Sequence, residues 1–448
     1  MTDLNRRDLI RLGLAGLSAA PLSGFLAPLH AASRLAVPGG GNAKLLVIFQ
    51  RGASDGVTTC VPVGDPTYPT MRINGSSQAY IDPAATLKLR GSDYARMNPV
   101  LAPLLDAHDS GDVAWLHQVG NPAGLRSHFT EQQILETADP QPEHLLNEEG
   151  WVARLAIQEN FKASTAIPTC SHSTLMQRAF QTHDLANQQV HIRALDQFVA
   201  NGIPAGTVAH LASPAAVTGA DLLVAASGQQ VVDVQQELAA GTPYVIDPVN
   251  FPTNPAGLPA SAAGAAFMLD LNAAWHLLAE TSCRVVGVEI GGWDTHQNQQ
   301  AQQDVLLAYL AYGLNSVYQL SKQPGAPSLV QFVITEFGRT AAVNGNSGTD
   351  HGIGSLMLAI GAAVRGGIYN CHGGTGLGAL WTQLGSIPPL GSGDPNQNAC
   401  YARTHFLAVY AEILTDLFGI TSTTEIETIL PGLVGASGPE YQPLDFLT

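Results

Sequence analysis

The hydrophobic pattern is clearest between residues 284 and 355, where two short apolar runs flank an amphipathic stretch. Residues 284–290 and 329–334 are rich in β-branched side chains and predict buried strands. Between them, residues 299–320 place apolar side chains near i, i+3/i+4 and i+7, which predicts a helix. A strand, a helix and a second strand in this order indicate a right-handed parallel crossover.

Two earlier apolar runs, at residues 45–50 and 112–120, predict further strands, and residues 130–136 predict a helix after the second of them. The pattern therefore predicts an α/β fold with a mostly parallel sheet. Ligands of such sheets bind beyond the carboxyl ends of the strands, so the polar residues that follow these runs are candidates for function. Further helices are predicted at 101–107, 151–158, 221–238, 265–280 and 401–418, and irregular segments at 64–98 and 372–399.

Charge narrows the possible partners. The chain has 448 residues, enough for a large core, and carries 36 acidic against 20 basic side chains, a net charge of −16. This charge disfavours nucleic acid and anionic lipid as partners, and an anionic substrate would require a bound cation. Beyond the N-terminal region, no apolar stretch reaches the ~18 residues of a membrane span.

Residues 1–32 predict an export signal. Arg6 and Arg7 precede an apolar segment at residues 12–29, and Ala31-Ala32 supplies a plausible cleavage point. This order is typical of a twin-arginine signal, which the export machinery reads before it moves a folded protein to the periplasm or outside the cell. The alternative is a short amphipathic anchor or a fortuitous arginine pair.

Residues 33–42 form a Gly-, Pro- and Ala-rich linker, and residues 43–448 are predicted to be a single domain with insertions. The chain has five cysteines, which lie far apart in the sequence and form no CxxC pair. A zinc–thiolate site is therefore disfavoured. One or two disulfides remain open, with no connectivity indicated.

The strand exits carry side chains that bind metals. Asp55 follows the first strand, Asp294 and His296 follow the strand at 284–290, and Asp350 and His351 come after the strand at 329–334. Carboxylates with imidazoles suit Zn²⁺ or Mn²⁺, whereas carboxylates with a hydroxyl suit Mg²⁺ or Ca²⁺. One or two such ions could bind an ester oxygen. The alternative for Asp55 is an ordinary Asp-Gly turn.

Ser127 stands near the start of the helix that follows the second strand. In one interpretation it is an N-cap that accepts a hydrogen bond from a free backbone N–H. In the other it is a nucleophile at the positive helix end, where Arg126 or Arg339 holds an anion and Glu336 lies nearby. Local sequence favours the cap, whereas the shared position of all these exits favours the nucleophile.

Taken together, these motifs resemble the DUF1501 family of exported bacterial proteins, which is placed in the alkaline-phosphatase/sulfatase-like superfamily. The resemblance extends over nearly the whole mature chain and rests on RGASDG at 51–56, RSHF at 126–129, GGWDTH at 291–296, TEFGRT at 335–340 and GTDHG at 348–352.

The resemblance implies a three-layer α/β/α fold with a metal-assisted hydrolase site. Asp55, Ser127, Asp350 and His351 would bind the first ion. For a second ion the superfamily has an Asp followed four residues later by His, whereas here His296 comes two residues after Asp294. No cysteine lies in the setting that a formylglycine sulfatase needs, so arylsulfatase chemistry is disfavoured.

Two hypotheses follow. The first is an exported metal-dependent hydrolase of phosphate-type or related esters, with a small molecule or a polymer as substrate. The second is a secreted, non-catalytic binding or surface-assembly protein that retains the fold with a degenerate site. Metal-dependent isomerase or transferase chemistry on the same scaffold is a lesser alternative.

Overall fold

A nine-stranded sheet forms the centre of the molecule in the computed structural model. The predicted signal, the linker and the loop at 372–399 lie outside the residues that the structure describes, as does part of the helix predicted at 221–238. The described residues are 43–141, 149–161, 167, 169–171, 178–182, 190–192, 195, 232–370, 400 and 402–448.

The central sheet is mostly parallel. Its strands are β1 (Lys44–Arg51), β2 (Val113–Gly120), β3 (Thr169–Ser171), β4 (Val190–His191), β5 (Val285–Gly291), β6 (Leu329–Ile334), β7 (Ser355–Ile360), β8 (Gly367–Tyr369) and β9 (Thr404–His405). Their order is β8-β2-β7-β6-β1-β5-β3-β4, with β9 beside β2. Strand β7 runs antiparallel to β6 and β2, and the other described pairs of this sheet are parallel. The predicted α/β class is confirmed. The antiparallel strand β7 was not predicted.

Alternate residues of the strands face two separate hydrophobic cores. In β1, Leu46 and Ile48 belong to one core, and Val47 and Phe49 belong to the other. Every residue of β1 is buried. Both faces are covered by helices, which explains why this strand is a continuous apolar run without polar alternation.

Helices lie on both faces of the sheet, as three layers require. They are α1 (Gly56–Thr59), α2 (Tyr68–Arg72), α3 (Leu105–Asp109), α4 (His128–Thr137), α5 (Trp151–Gln158), α6 (Ala262–Glu280), α7 (Gln299–Ser321), α8 (Phe406–Glu412) and α9 (Thr423–Ile429). Helices α6 and α7 pack into one core, and α4, α5, α8 and α9 pack into the other. Among the described residues, no helix has the length and apolarity needed to cross a membrane.

The segment predicted to be irregular, 64–98, folds into small elements instead. It contains α2 and contributes to two minor sheets, formed by Cys60–Val61, Leu87–Lys88 and Arg96–Met97 and by Ile73–Asn74 and Ser77–Gln78. The predicted helix at 401–418 is also divided, because β9 precedes α8 and a π-turn at Ile413–Leu417 follows it.

The reversal of β7 determines where the candidate residues lie. The chain leaves the carboxyl end of β6 at Ile334 and enters β7 at Ser355. Because β7 is antiparallel to β6, it starts at the same edge of the sheet. The intervening segment, 335–354, therefore stays at the edge where β1, β2 and β5 also end.

Candidate metal centre

Four polar side chains meet beyond the carboxyl ends of β2, β5 and β6. The Nε2 atoms of His128 and His351 lie 3.2 Å apart, and Asp294 Oδ1 lies 3.5 Å from the first and 3.2 Å from the second. His296 Nε2 lies 3.0 Å from both Asp294 Oδ1 and His351 Nε2. We call these four residues the His/Asp cluster.

The second nitrogen of each imidazole contacts an oxygen. The pairs are His128 Nδ1 with Glu336 Oε1 at 2.8 Å, His296 Nδ1 with Asp350 Oδ1 at 3.0 Å, and His351 Nδ1 with the Arg126 carbonyl at 3.0 Å. Carbonyl and carboxylate oxygens can only accept, so each Nδ1 carries the hydrogen and donates it. In the neutral rings the three Nε2 atoms are therefore unprotonated, and their lone pairs face one another and Asp294.

The geometry of the cluster fits a metal ion. A proton on one ring can satisfy only one neighbour, whereas a single metal ion satisfies several lone pairs at once. Bonds of about 2.0–2.1 Å to a tetrahedral ion put neighbouring ligand atoms about 3.3 Å apart. The separations among His128, Asp294 and His351 are 3.2–3.5 Å, which fits such an ion. Imidazole with carboxylate suits Zn²⁺ or Mn²⁺, and the oxygens behind each ring are the usual outer partners of metal-bound histidine.

Three neighbours, Arg339, His128 and Gln132, keep the acids Asp294 and Glu336 ionised. Burial opposes the charge of Asp294, but the hydrogen bond and charge of Arg339 lower its pKa to about 2. Burial likewise opposes the charge of Glu336, and hydrogen bonds from His128 and Gln132 lower its pKa below the usual value. The hydrogen bond to Glu336 in turn raises the pKa of His128, whereas burial lowers the pKa of His351.

Arg339 is buried and holds the loops of the site together. Its guanidinium donates to Asp294 Oδ1 at 2.5 Å. It also donates to the carbonyls of Gly52, Ala53, Trp293 and Thr349. The expected role of Arg339 as an anion-binding group does not fit this geometry, because its donors are used by the protein.

Asp55 lies outside the His/Asp cluster. Its carboxylate accepts from both Nη atoms of Arg72, at 2.5 and 3.1 Å, and from Gln299 and Thr58. It also caps α1 by accepting from the Val57 N–H. Burial opposes its charge, and Arg72 lowers its pKa. The expected role of Asp55 as a metal ligand does not fit, because its carboxylate is buried and both of its oxygens already accept hydrogen bonds from the protein.

The remaining candidates lie at or beside the cluster. Asp350 accepts from His296 and from Asn344 Nδ2 at 3.2 Å, so it orients an imidazole and is not itself in the ligand group. Ser127 is the residue before α4, as predicted, but its side chain makes no capping bond and accepts from Thr130 Oγ1 at 3.3 Å. Arg126 contributes its carbonyl.

Two glycines allow the loops to approach closely. A Cβ on Gly52, whose φ is +119°, would lie 2.5 Å from the Asp294 nitrogen. A Cβ on Gly348 would lie 2.1 Å from the carbonyl carbon of His296. Any side chain at either position would therefore displace the backbone that carries a cluster residue.

No role is predicted for His128 from the sequence, although it is part of the RSHF motif at 126–129. His128 is the first residue of α4 and its ring stacks on Phe337, with centroids 4.9 Å apart. Its position was a usable signal, because His128 is a metal-binding side chain in a segment that follows a strand, as the other candidates are. Arg72 and Gln299, the partners of Asp55, carried no such signal.

Comparison with known proteins gives one match. A family model described as "Protein of unknown function (DUF1501)" matches residues 122–376, more than half of the chain. No curated protein and no solved structure matches the chain.

Proposed function

The chain belongs to the DUF1501 family of proteins of unknown function, and we propose that it is an exported, metal-dependent hydrolase of phosphate-type or related esters. The observation that supports this most is the convergence of the Nε2 atoms of His128, His296 and His351 on Asp294 Oδ1, at 3.0–3.5 Å. The cluster lies at the sheet edge where ligands of α/β proteins bind, and its side chains are partly open to solvent. We also propose that the fold of this chain resembles that of alkaline phosphatases.

His128, Asp294 and His351 would hold the ion, with His296 as a further ligand beside them. A bound divalent ion supplies Lewis-acid polarisation of an ester oxygen. Glu336, Asp350 and the Arg126 carbonyl fix the ring orientations, so the lone pairs are aimed before the ion arrives. Arg339 keeps Asp294 ionised.

Ser127 is the candidate nucleophile. It precedes His128 at the positive end of α4, and no helix N–H engages its hydroxyl. Within the described residues, the hydroxyl accepts from Thr130 Oγ1 at 3.3 Å, which leaves an oxygen lone pair to attack an ester bound at the cluster.

The hydrolase proposal is tested with protein loaded separately with Zn²⁺, Mn²⁺, Mg²⁺ or Ca²⁺ and assayed on phosphate, sulfate and carboxylate esters of 4-nitrophenol. We expect activity that a chelator removes and metal restores, and that Ser127→Ala lowers by at least about 100-fold. Thr130→Val is the matched control for the neighbouring hydroxyl. Stoichiometric metal binding without activity on any ester would favour the non-catalytic binding protein.

Export is a separate part of the proposal. It rests on the arrangement of Arg6, Arg7 and the apolar segment that follows. Replacement of both arginines by lysine keeps the charge, and it should leave the full-length precursor in the cytoplasm, as measured by cell fractionation. Unchanged export of this variant would contradict the twin-arginine route.

A further inference from the structure

Two large apolar side chains are exposed beside the His/Asp cluster. Leu125 is 64% exposed and Phe129 is 82% exposed. They flank a segment that contacts the cluster at both ends, because the Arg126 carbonyl lies 3.0 Å from His351 Nδ1 and His128 Nε2 lies 3.2 Å from His351 Nε2. Leu125 is thus bonded to the residue whose carbonyl contacts His351, and Phe129 is bonded to His128, so the backbone of both apolar residues lies at the edge of the cluster.

Hydrogen bonds fix the backbone that presents Leu125. Glu131 accepts from the Leu125 N–H at 2.7 Å and from Asn121 Nδ2 at 3.2 Å. Asn121 in turn accepts from the Ala123 N–H at 3.2 Å. The apolar surface is thus part of an ordered turn, and its exposure is set by the fold.

The charges around the cluster limit what a ligand can carry. Asp294 and Asp350 each expose 48% of their side chains there. Arg339 is buried and bound to Asp294, and Arg51 pairs with Glu136 and Glu289. Against the two exposed acids, residues 125–129 contribute one arginine. With a bound divalent ion counted, the three acids Asp294, Asp350 and Glu336 face four positive charges, two on the ion and one each on Arg339 and Arg126. A monoanion balances the remaining single positive charge, whereas a dianion exceeds it.

We propose that the substrate is a phosphate diester with at least one hydrophobic arm, and that Leu125 and Phe129 contact this arm. This rests on the proposed hydrolase function and narrows it. A diester carries one negative charge where a monoester carries up to two, and its second ester group provides apolar surface. Ser127 Oγ bonds to phosphorus as the P–O bond to one arm breaks, and the leaving oxygen takes the serine proton. Water then bonds to phosphorus as the bond to Ser127 Oγ breaks, and one water proton returns to the serine while the other stays on the phosphate. The products are a monoester and an alcohol.

The test compares three substrates with the same leaving group, using the metal-loaded full chain. They are bis(4-nitrophenyl) phosphate, methyl 4-nitrophenyl phosphate and 4-nitrophenyl phosphate. We expect kcat/KM to be highest for the first, by about tenfold over the methyl diester, because its second ring covers the apolar side chains. Faster cleavage of the monoester would overturn the proposal and leave the hydrolase function standing.

Single substitutions test whether Leu125 and Phe129 contact the hydrophobic arm of the substrate. Leu125→Ser and Phe129→Ser should each lower kcat/KM for the bis-aryl diester by about fivefold and leave the methyl diester within about twofold. Val249→Ser, at a residue 78% exposed elsewhere, is the matched control. Equal losses on both diesters, or no loss on either, would overturn the assignment.

Binding separates the two proposals. If no ester is cleaved, the hydrolase function fails, but calorimetry with diphenyl phosphate and metal-loaded protein still tests recognition. Weaker binding to Phe129→Ser than to the unsubstituted protein and Val249→Ser would support the apolar contact. Equal binding to all three proteins, or to none, would contradict it.

Discussion

Asp55 and Asp294 begin alike in the sequence and end differently in the structure. Each follows a buried strand, β1 or β5, at the same edge of the sheet. Asp55 is 1% exposed and is neutralised by Arg72. Asp294 is about half exposed and faces the Nε2 atoms of His296 and His351. The ring hydrogen of each is on Nδ1, which donates to an oxygen.

The difference shows that the position of an aspartate in a sheet does not decide its role. What decides is the rest of the surroundings, since each aspartate pairs with an arginine. Asp55 is buried, and its arginine comes from α2, in a segment whose sequence shows no sign of this contact. Asp294 is open to solvent and lies within 3.0–3.5 Å of three imidazole nitrogens.

The largest expected effect is on the buried pair. Arg72→Ala leaves Asp55 charged and buried, and it should lower the free energy of unfolding by about 3–5 kcal/mol. Asp294→Ala in metal-free protein should cost less, because the buried Arg339 keeps four carbonyl acceptors and the Asp294 carboxylate is partly hydrated. Denaturant unfolding of both variants measures the contrast, and equal losses would remove it.

The next effect is on metal affinity. His351→Ala removes the nitrogen nearest to all the other ligand atoms, so metal affinity should fall by at least about 100-fold. Asp416→Ala, at an exposed acid on the far-removed segment after α8, is the control. Calorimetric titration with Zn²⁺ and Mn²⁺ gives the affinities. Wild-type affinity in His351→Ala would exclude it as a ligand.

A smaller effect is expected from the carboxylate behind His128. Glu336→Gln keeps an acceptor for Nδ1 but removes the charge, and metal affinity should fall by about 10–100-fold. Asp350→Asn tests the same relation for His296. If neither change weakens binding, the oxygens behind the rings do not tune the site.

The smallest effect is a pH dependence that separates the two regions. The raised pKa of His128 favours its protonated form in the metal-free fold, a contribution complete below about 6.5 and lost as pH rises through the raised pKa. Metal competes with this proton, so affinity should fall as pH falls through that range. The lowered pKa of Asp55 gives a stabilisation that is complete above about 3.8 and is lost only as pH falls from there through the lowered pKa.

At pH 5 the protein should therefore release its metal and remain folded. Dialysis followed by elemental analysis measures the metal, and circular dichroism measures the fold. Loss of both together would indicate that the ion holds the fold.

Much of the fold followed from the apolar pattern. The strands β1, β2, β5 and β6 and the helix α7 lie where the pattern put them, because buried parallel strands are continuous apolar runs. Strand β7 did not follow, since its apolar residues specify burial but not direction. The helix at 221–238 and the export signal remain predictions.

The sequence predicted where the candidate site lies better than it predicted which residues form it. Asp294, His296 and His351 meet as the strand-end argument required. His128 was not predicted, because only Ser127 and Arg126 of the RSHF motif were assigned a chemical role. Asp55 was included because a distant partner such as Arg72 leaves no local trace in the sequence.

The most direct test is an anomalous difference map from crystals grown with Zn²⁺ or Mn²⁺. We expect a peak within about 2.0–2.2 Å of the Asp294 carboxylate and of Nε2 of His128 and His351. A metal-loaded crystal with no peak at these atoms, or with its peak at Asp55 instead, would contradict the proposed metal site.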